Sequence, residues 1–162
     1  MRPEDFEQLF SDLAEDLFSF LAYRTGDRVL AEDLVADTFE RALRARRRYD
    51  PAKASEKTWL YAIALNCLRD RYRRAESEKR ALARIAVDSG GSEIDPGLAR
   101  VEERERLLAG LAGLSDEERE AIALRFGGDL TLPEIAELTG LELSTVEGRV
   151  YRALRKLRDA IV

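Results

Sequence analysis

The sequence predicts an all-α protein, built as two small helical domains joined by a flexible linker. Three observations carry that expectation. Apolar residues recur every three or four positions along most of the chain, the period of a helix with one buried face. No run alternates β-branched with polar residues as a half-buried strand does. The stretch "VDSGGSEIDPG" at 87–97 gathers three of the ten glycines with a proline and two serines, a linker composition. A chain of 162 residues suits one ordinary domain or two small ones. We therefore expect a domain over 1–75, a linker over 76–106 and a second domain over 107–162.

The first helix is expected from about Glu4 to Arg24, with Phe6, Leu9, Phe10, Leu13, Leu17, Phe20 and Leu21 on one stripe and Gly26 at its end. A second, from about Arg28 to Arg46, buries Leu30, Leu34, Phe39 and Leu43. "RRRYDPAKASEK" breaks the pattern, with Asp50-Pro51 marking a turn. A third helix, about Glu56 to Arg74, completes a three- or four-helix bundle.

In the second domain, Ser115 caps a helix with Glu118 at capping-box spacing, and "GGD" at 127–129 ends it. Leu132, Ile135, Ala136 and Leu138 line one side of a short helix. Gly140 allows a sharp turn, and Ser144 is placed to cap the next helix. On that helix Val146, Val150, Ala153, Leu154 and Leu157 share the core side. Two short helices across a tight turn have the form of a helix-turn-helix.

Composition removes several kinds of function. Histidine is absent and Cys67 is the single cysteine, which argues against Ser-His, Cys-His and zinc-histidine chemistry and against an internal disulfide. No enzyme, cofactor or metal is expected. No apolar run approaches the roughly 20 residues of a membrane span, and "MRPEDFEQLF" lacks a secretory signal. We expect a cytoplasmic protein with no membrane insertion.

The net charge of −5 conceals an asymmetry. Residues 1–40 hold three arginines against eleven acids, residues 41–74 hold eleven basic residues against three acids, and residues 149–158 hold five basic residues and no acid. Such basic segments are candidate phosphate contacts that the bulk charge hides.

Each basic segment coincides with a helical face. Opposite its apolar side, the last helix presents Ser144, Thr145, Gly148, Tyr151, Arg152, Arg155 and Lys156, with Glu147 and Arg149 on the flanks. Hydroxyls, a glycine and cations suit close approach to a DNA groove; a hairpin that only packs is the alternative. The helix "TWLYAIALNCLRDRYRR" sets Trp59, Ala62, Ile63, Asn66, Arg69, Asp70 and Arg73 across from Leu60, Tyr61, Ala64, Leu65, Leu68 and Tyr72. An aromatic, an amide and arginines on one face, beside a loop carrying Arg46, Arg47, Arg48, Lys53 and Lys57, suit unstacked bases and their phosphates. Core burial of Trp59 and a plain surface role for Asn66 are the alternatives.

In order and spacing, "AEDLVADTFERAL", "RRRYDPAKASEKTWLYAIALNCLRDRYRR" and "LSDEEREAIALRFGGDLTLPEIAELTGLELSTVEGRVYRALRKLR" resemble the extracytoplasmic-function (ECF) sigma factors of bacterial RNA polymerase. The resemblance covers nearly the whole chain. It implies that Asp33, Ala36 and Asp37 dock on core RNA polymerase. It implies that the loop with Tyr49, Lys53, Ser55 and Lys57 captures a flipped base of the promoter −10 element. Trp59, Asn66, Arg69 and Arg73 would hold the melting junction and exposed strand. Ser144, Thr145, Gly148, Arg149, Arg152 and Lys156 would read the −35 element. Promoter DNA and an anti-sigma factor are the further partners it implies.

The chain departs from the family pattern at Ala36, Ala62 and Glu147 and in "ASEKTW", positions that bear on promoter preference. A helix-turn-helix regulator that is not a polymerase subunit, or a helical adaptor binding only protein, would be the competing functions.

Overall fold

The computed structural model describes residues 1–82 and 101–161. Helix α1 (Pro3–Thr25) ends at Gly26, whose left-handed φ of 68° turns the chain toward α2 (Arg28–Ala45). The Asp27 carboxylate caps α2 by accepting from the Leu30 backbone N–H at 3.1 Å, satisfying one of the free donors of its first turn. A 3-10 turn, Arg46–Arg48, and the loop through Ser55 lead into α3 (Glu56–Leu82). Helix α3 thus runs eight residues beyond Arg74 and seven into the stretch read as linker. Nothing in "ESEKRAL" breaks a helix: it holds no glycine or proline and consists of good helix formers with one serine.

The second unit comprises α4 (Val101–Ala112), α5 (Asp116–Ile122), a single π turn at Ala123–Gly127, α6 (Leu132–Thr139) and α7 (Leu143–Ile161). Residues 101–106, also read as linker, belong to α4, whereas "VDSGGSEIDPG" lies outside the described residues. Thr131 and Glu134 form a reciprocal capping box on α6, and Gly140, at φ 73°, makes the turn to α7.

Most of the expected core is buried. Leu17, Phe20, Leu21, Leu34, Leu60, Tyr61 and Ala64 have no accessible surface. Ile135, Val146, Val150, Ala153 and Leu157 close the second unit. Four residues expected on buried sides lie elsewhere, Tyr72 among them at 37% exposed. Phe10 is 49% exposed, with its ring edge-on to Phe39 at 4.7 Å, and Leu43 and Leu154 are 45% and 42% exposed. A periodic pattern marks a face about 100° wide but not how far the neighbouring helix covers its margins.

One expected cap detail also differs. Helix α7 starts at Leu143, so Ser144 lies inside its first turn rather than at the cap. Ser115 does cap α5, accepting from the Glu118 N–H at 3.1 Å, and the strongest partner of the Glu118 carboxylate is Lys156, at 2.7 Å. Among the described residues, no helix is long and apolar enough to cross a membrane.

Helix α1 is the element shared by both units. One side packs on α2 and the start of α3, and another receives α5 and the π turn.

Candidate nucleic-acid interface

Helix α3 is held at a fixed rotation by its buried side, Leu60, Tyr61, Ala64, Leu65 and Leu68. That rotation leaves Asn66, Arg69 and Arg73 exposed on the opposite face, as expected. Asn66 and Arg69 have no side-chain partner among the described residues and are available to a ligand. Arg73 is committed locally, donating to Asp70 at 2.6 Å. Asp70 also receives Arg41 from α2 at 2.9 Å, and that hydrogen bond holds its carboxyl below the ordinary range. Arg41, Arg44 and Arg48 line a groove of about 320 Å³ with Ile63 and Asn66, residues of the α2 side that helical periodicity in α3 alone could not bring together.

The loop before α3 is built on Tyr49. Its hydroxyl donates to the Ala54 carbonyl at 2.9 Å, and its ring lies 5.1 Å from the Trp59 ring. Trp59 is half-buried, packed against the core on one side, so core contact and an open edge coexist. Ser55 acts as the cap of α3, accepting from the Thr58 N–H and donating to its hydroxyl, both at 3.1 Å. Lys53 is exposed. Lys57 reaches into the second unit and donates to the Asp129 carbonyl at 2.9 Å.

On α2, Asp33 and Ala36 are exposed and adjacent by helical spacing. Asp37 is drawn to α3 by Arg71 at 3.3 Å. Cys67, read as having no disulfide partner, is a buried free thiol, and burial pushes its pKa up, which disfavours the reactive thiolate.

On α7, Ser144, Thr145 and Arg152 are exposed, with Gly148 and Arg149 partly covered. The Arg152 guanidinium folds back over Gly148, where an added Cβ would stand 3.1 Å from Nη1. The glycine thus gives that cation room on the exposed side of α7. Lys156 differs from its neighbours. Its ammonium donates to Glu118 at 2.7 Å, and the Glu118 side chain is only 9% exposed. Helical periodicity set Lys156 with Arg152, but only the approach of α5 shows that the lysine serves the core margin.

That hydrogen bond from Lys156 holds the Glu118 pKa below its ordinary value. Lys156→Ala is expected to cost about 1–2 kcal/mol, since it strands a mostly buried carboxylate, with half the lysine in solvent lowering the figure. The sign with pH follows: the folded pKa lies below the unfolded value of about 4.3, so the contribution is present above that pH and fades as pH falls through the folded pKa. Urea titrations at pH 7 and pH 3 check this, the difference between wild type and variant shrinking at the lower pH.

Comparison with known proteins matches the chain in two successive stretches. The Sigma-70 region 2 family model matches residues 9–78, and the Sigma-70, region 4 model matches residues 104–157. The chain is 31% identical over 154 residues to the ECF RNA polymerase sigma factor RpoE of Cereibacter sphaeroides, covering 95% of this chain and 84% of that protein. It is 27% identical over 154 residues to the ECF RNA polymerase sigma factor BldN of Streptomyces coelicolor, spanning 94% of this chain and 58% of BldN. The sigma factor RpoE of Bartonella quintana, solved with the anti-sigma factor NepR, has the same fold: TM-score 0.78 at 23% identity, covering 98% of this chain and 97% of that one. With both family models matched in order over most of its length, the chain belongs to the sigma-70 family of RNA polymerase sigma factors, among its ECF members.

Proposed function

We propose that this ECF sigma factor reads its promoter through two surfaces and docks on core RNA polymerase through a third. The single observation that carries the reading is the α3 face on which Asn66 and Arg69 stand exposed and, among the described residues, without side-chain partners, beside the loop of Tyr49, Lys53, Ser55, Lys57 and Trp59. An extruded base costs a few kcal/mol to unstack, and an aromatic edge, an amide and cations are the groups that offset such a cost. Arg73 joins them through its exposed pair with Asp70.

The −35 element is read in the major groove by the first turns of α7, with Ser144, Thr145, Gly148, Arg149 and Arg152 toward the DNA. Lys156, tied to Glu118, contributes positive potential rather than a direct contact. Asp33 and Ala36, with Asp37 beside them, form the polymerase-facing surface. The division into a promoter-melting unit that ends with α3 at Leu82 and a −35-reading unit that begins with α4 at Val101 follows the two surfaces. A protein that works on RNA polymerase acts in the cytoplasm, where an anti-sigma factor is its expected inhibitor.

Run-off transcription with core polymerase on a pool of genomic fragments tests the reading. Initiation at defined sites is expected only when the chain is added. Asn66→Ala is expected to cut open-complex formation by about fivefold, the worth of one hydrogen bond of ~1 kcal/mol, while leaving core binding and thermal stability unchanged. Duplex binding without any polymerase-dependent initiation would instead make the chain a regulator.

A further inference from the structure

One acid stands on the face that α7 offers to DNA. Glu147 is exposed, one turn into the helix, and it is the only acid between Leu143 and Arg158, a stretch that carries Arg149, Arg152, Arg155 and Lys156. A carboxylate beside a polyanion is repelled unless something in the complex donates to it.

The fold gives that acid no ordinary employment. Three and four residues away on either side stand Leu143, Ser144, Val150 and Tyr151, so no cation lies at the spacing of an intrahelical ion pair. It has no hydrogen-bond or ion-pair partner among the described residues. The unpaired N–H groups of a helix belong to its first four residues, and the field of the helix end fades within that turn. Glu147 is already past them, since α7 starts at Leu143 and the Glu142 carbonyl accepts the Val146 N–H at 3.1 Å.

Its position sets what it can reach. At about 100° per residue, Ser144 and Gly148 form the middle of the exposed side. Thr145 and Arg152 lie to one side of them, Glu147 and Tyr151 to the other. The middle is built small: Gly148 has no side chain, and a Cβ there would stand 3.1 Å from Arg152 Nη1. A helix with a small central stripe seats closely in a major groove, where the residues of its N-terminal turns meet base edges. The donors a carboxylate can find there are the amino groups of cytosine, at N4, and of adenine, at N6. Adenine sets the acceptor N7 beside its amino group, which repels an acceptor-only side chain, whereas cytosine has no acceptor on that edge.

We infer that Glu147 is a specificity-determining residue, which accepts from the N4 amino group of a cytosine in the −35 element and disfavours every other base at that position. This rests on the reading of α7 as the −35-facing helix. The charge that selects the cytosine also weakens binding to duplexes that lack it, so Glu147 sharpens the choice from both directions.

Holoenzyme bound to promoter duplexes randomised across the −35 element tests this, with the bound sequences counted for wild type, Glu147→Ala and Glu147→Gln. Wild type is expected to select cytosine at one position by about 5- to 100-fold. Glu147→Ala should lose the preference at that position alone, and should bind duplexes lacking the cytosine more tightly than wild type does. Glu147→Gln, which carries donors as well as an acceptor, should shift that position toward adenine. Thermal midpoints by far-UV circular dichroism should stay at the wild-type value. Equal preferences in wild type and Glu147→Ala at every position would overturn the assignment, and a lowered midpoint beside them would leave the acid a role in the helix alone. Selection by wild type of any base other than cytosine at the position that changes would overturn it as well. A sequence preference that survives both substitutions removes Glu147 and spares the −35 reading; wild-type holoenzyme that selects no sequence there removes both.

Discussion

Phe20→Ala is expected to cost about 3–5 kcal/mol of stability, the range for emptying a fully buried aromatic site. Phe20 has no accessible surface, and its ring lies 5.6 Å from that of Tyr61. It therefore sits where α1, α3 and the π turn meet, with Gly127 against its own backbone. Leu17, Leu21, Leu34 and Leu60 are fully buried as well, and a core packed this closely relaxes only partly into a new cavity. Thermal unfolding followed by far-UV circular dichroism should show a midpoint lowered by about 10 °C or more. A loss below ~1 kcal/mol would mean that neighbouring side chains fill the space and that the seam is looser than the Gly127 approach requires.

Arg152→Ala is expected to weaken binding of the holoenzyme to −35 duplex by about 5- to 100-fold, a loss of 1–3 kcal/mol for a cation facing DNA. Arg152 is exposed, has no acidic partner among the described residues and is positioned over Gly148. Its removal costs little in folding, unlike that of Lys156, which is bonded to Glu118. Titrations across salt concentrations discriminate its role. If Arg152 binds a phosphate, the slope of log affinity against log salt should fall by about one. If it reads a base edge, the slope should hold while preference at one position relaxes. An unchanged affinity and slope would take Arg152 out of the interface. Lys156→Ala in the same assay is expected to have the smaller effect on DNA and the larger one on stability.

The comparison of these two cations shows where a sequence reading stops. Both stand on one helix, four positions apart, and helical geometry puts them on the same face. The sequence has no means of saying that α5 brings a mostly buried carboxylate to one and not the other. Leu154 repeats the point, since its spacing assigns it to the core side but the neighbours leave it 42% exposed. On α3 the face carrying Asn66 and Arg69 was legible, because a strongly apolar opposite side settles the rotation of the helix. The arginines that complete its groove were not, because Arg41, Arg44 and Arg48 come from α2 and the turn after it.

The sequence alone therefore determined most of the helices and buried faces, the turn glycines Gly26 and Gly140, the helix-turn-helix and the exposed basic face of α3. These follow from periodicity and backbone preference, which are local and act over a few residues. Only the tertiary structure decided that Lys156 is spent on Glu118 and that Gly127 to Asp129 close over Lys57 and Tyr61. Those contacts join residues 38 to 72 positions apart. Packing between distant segments is chosen by shape and charge across the whole fold, and no local pattern encodes it.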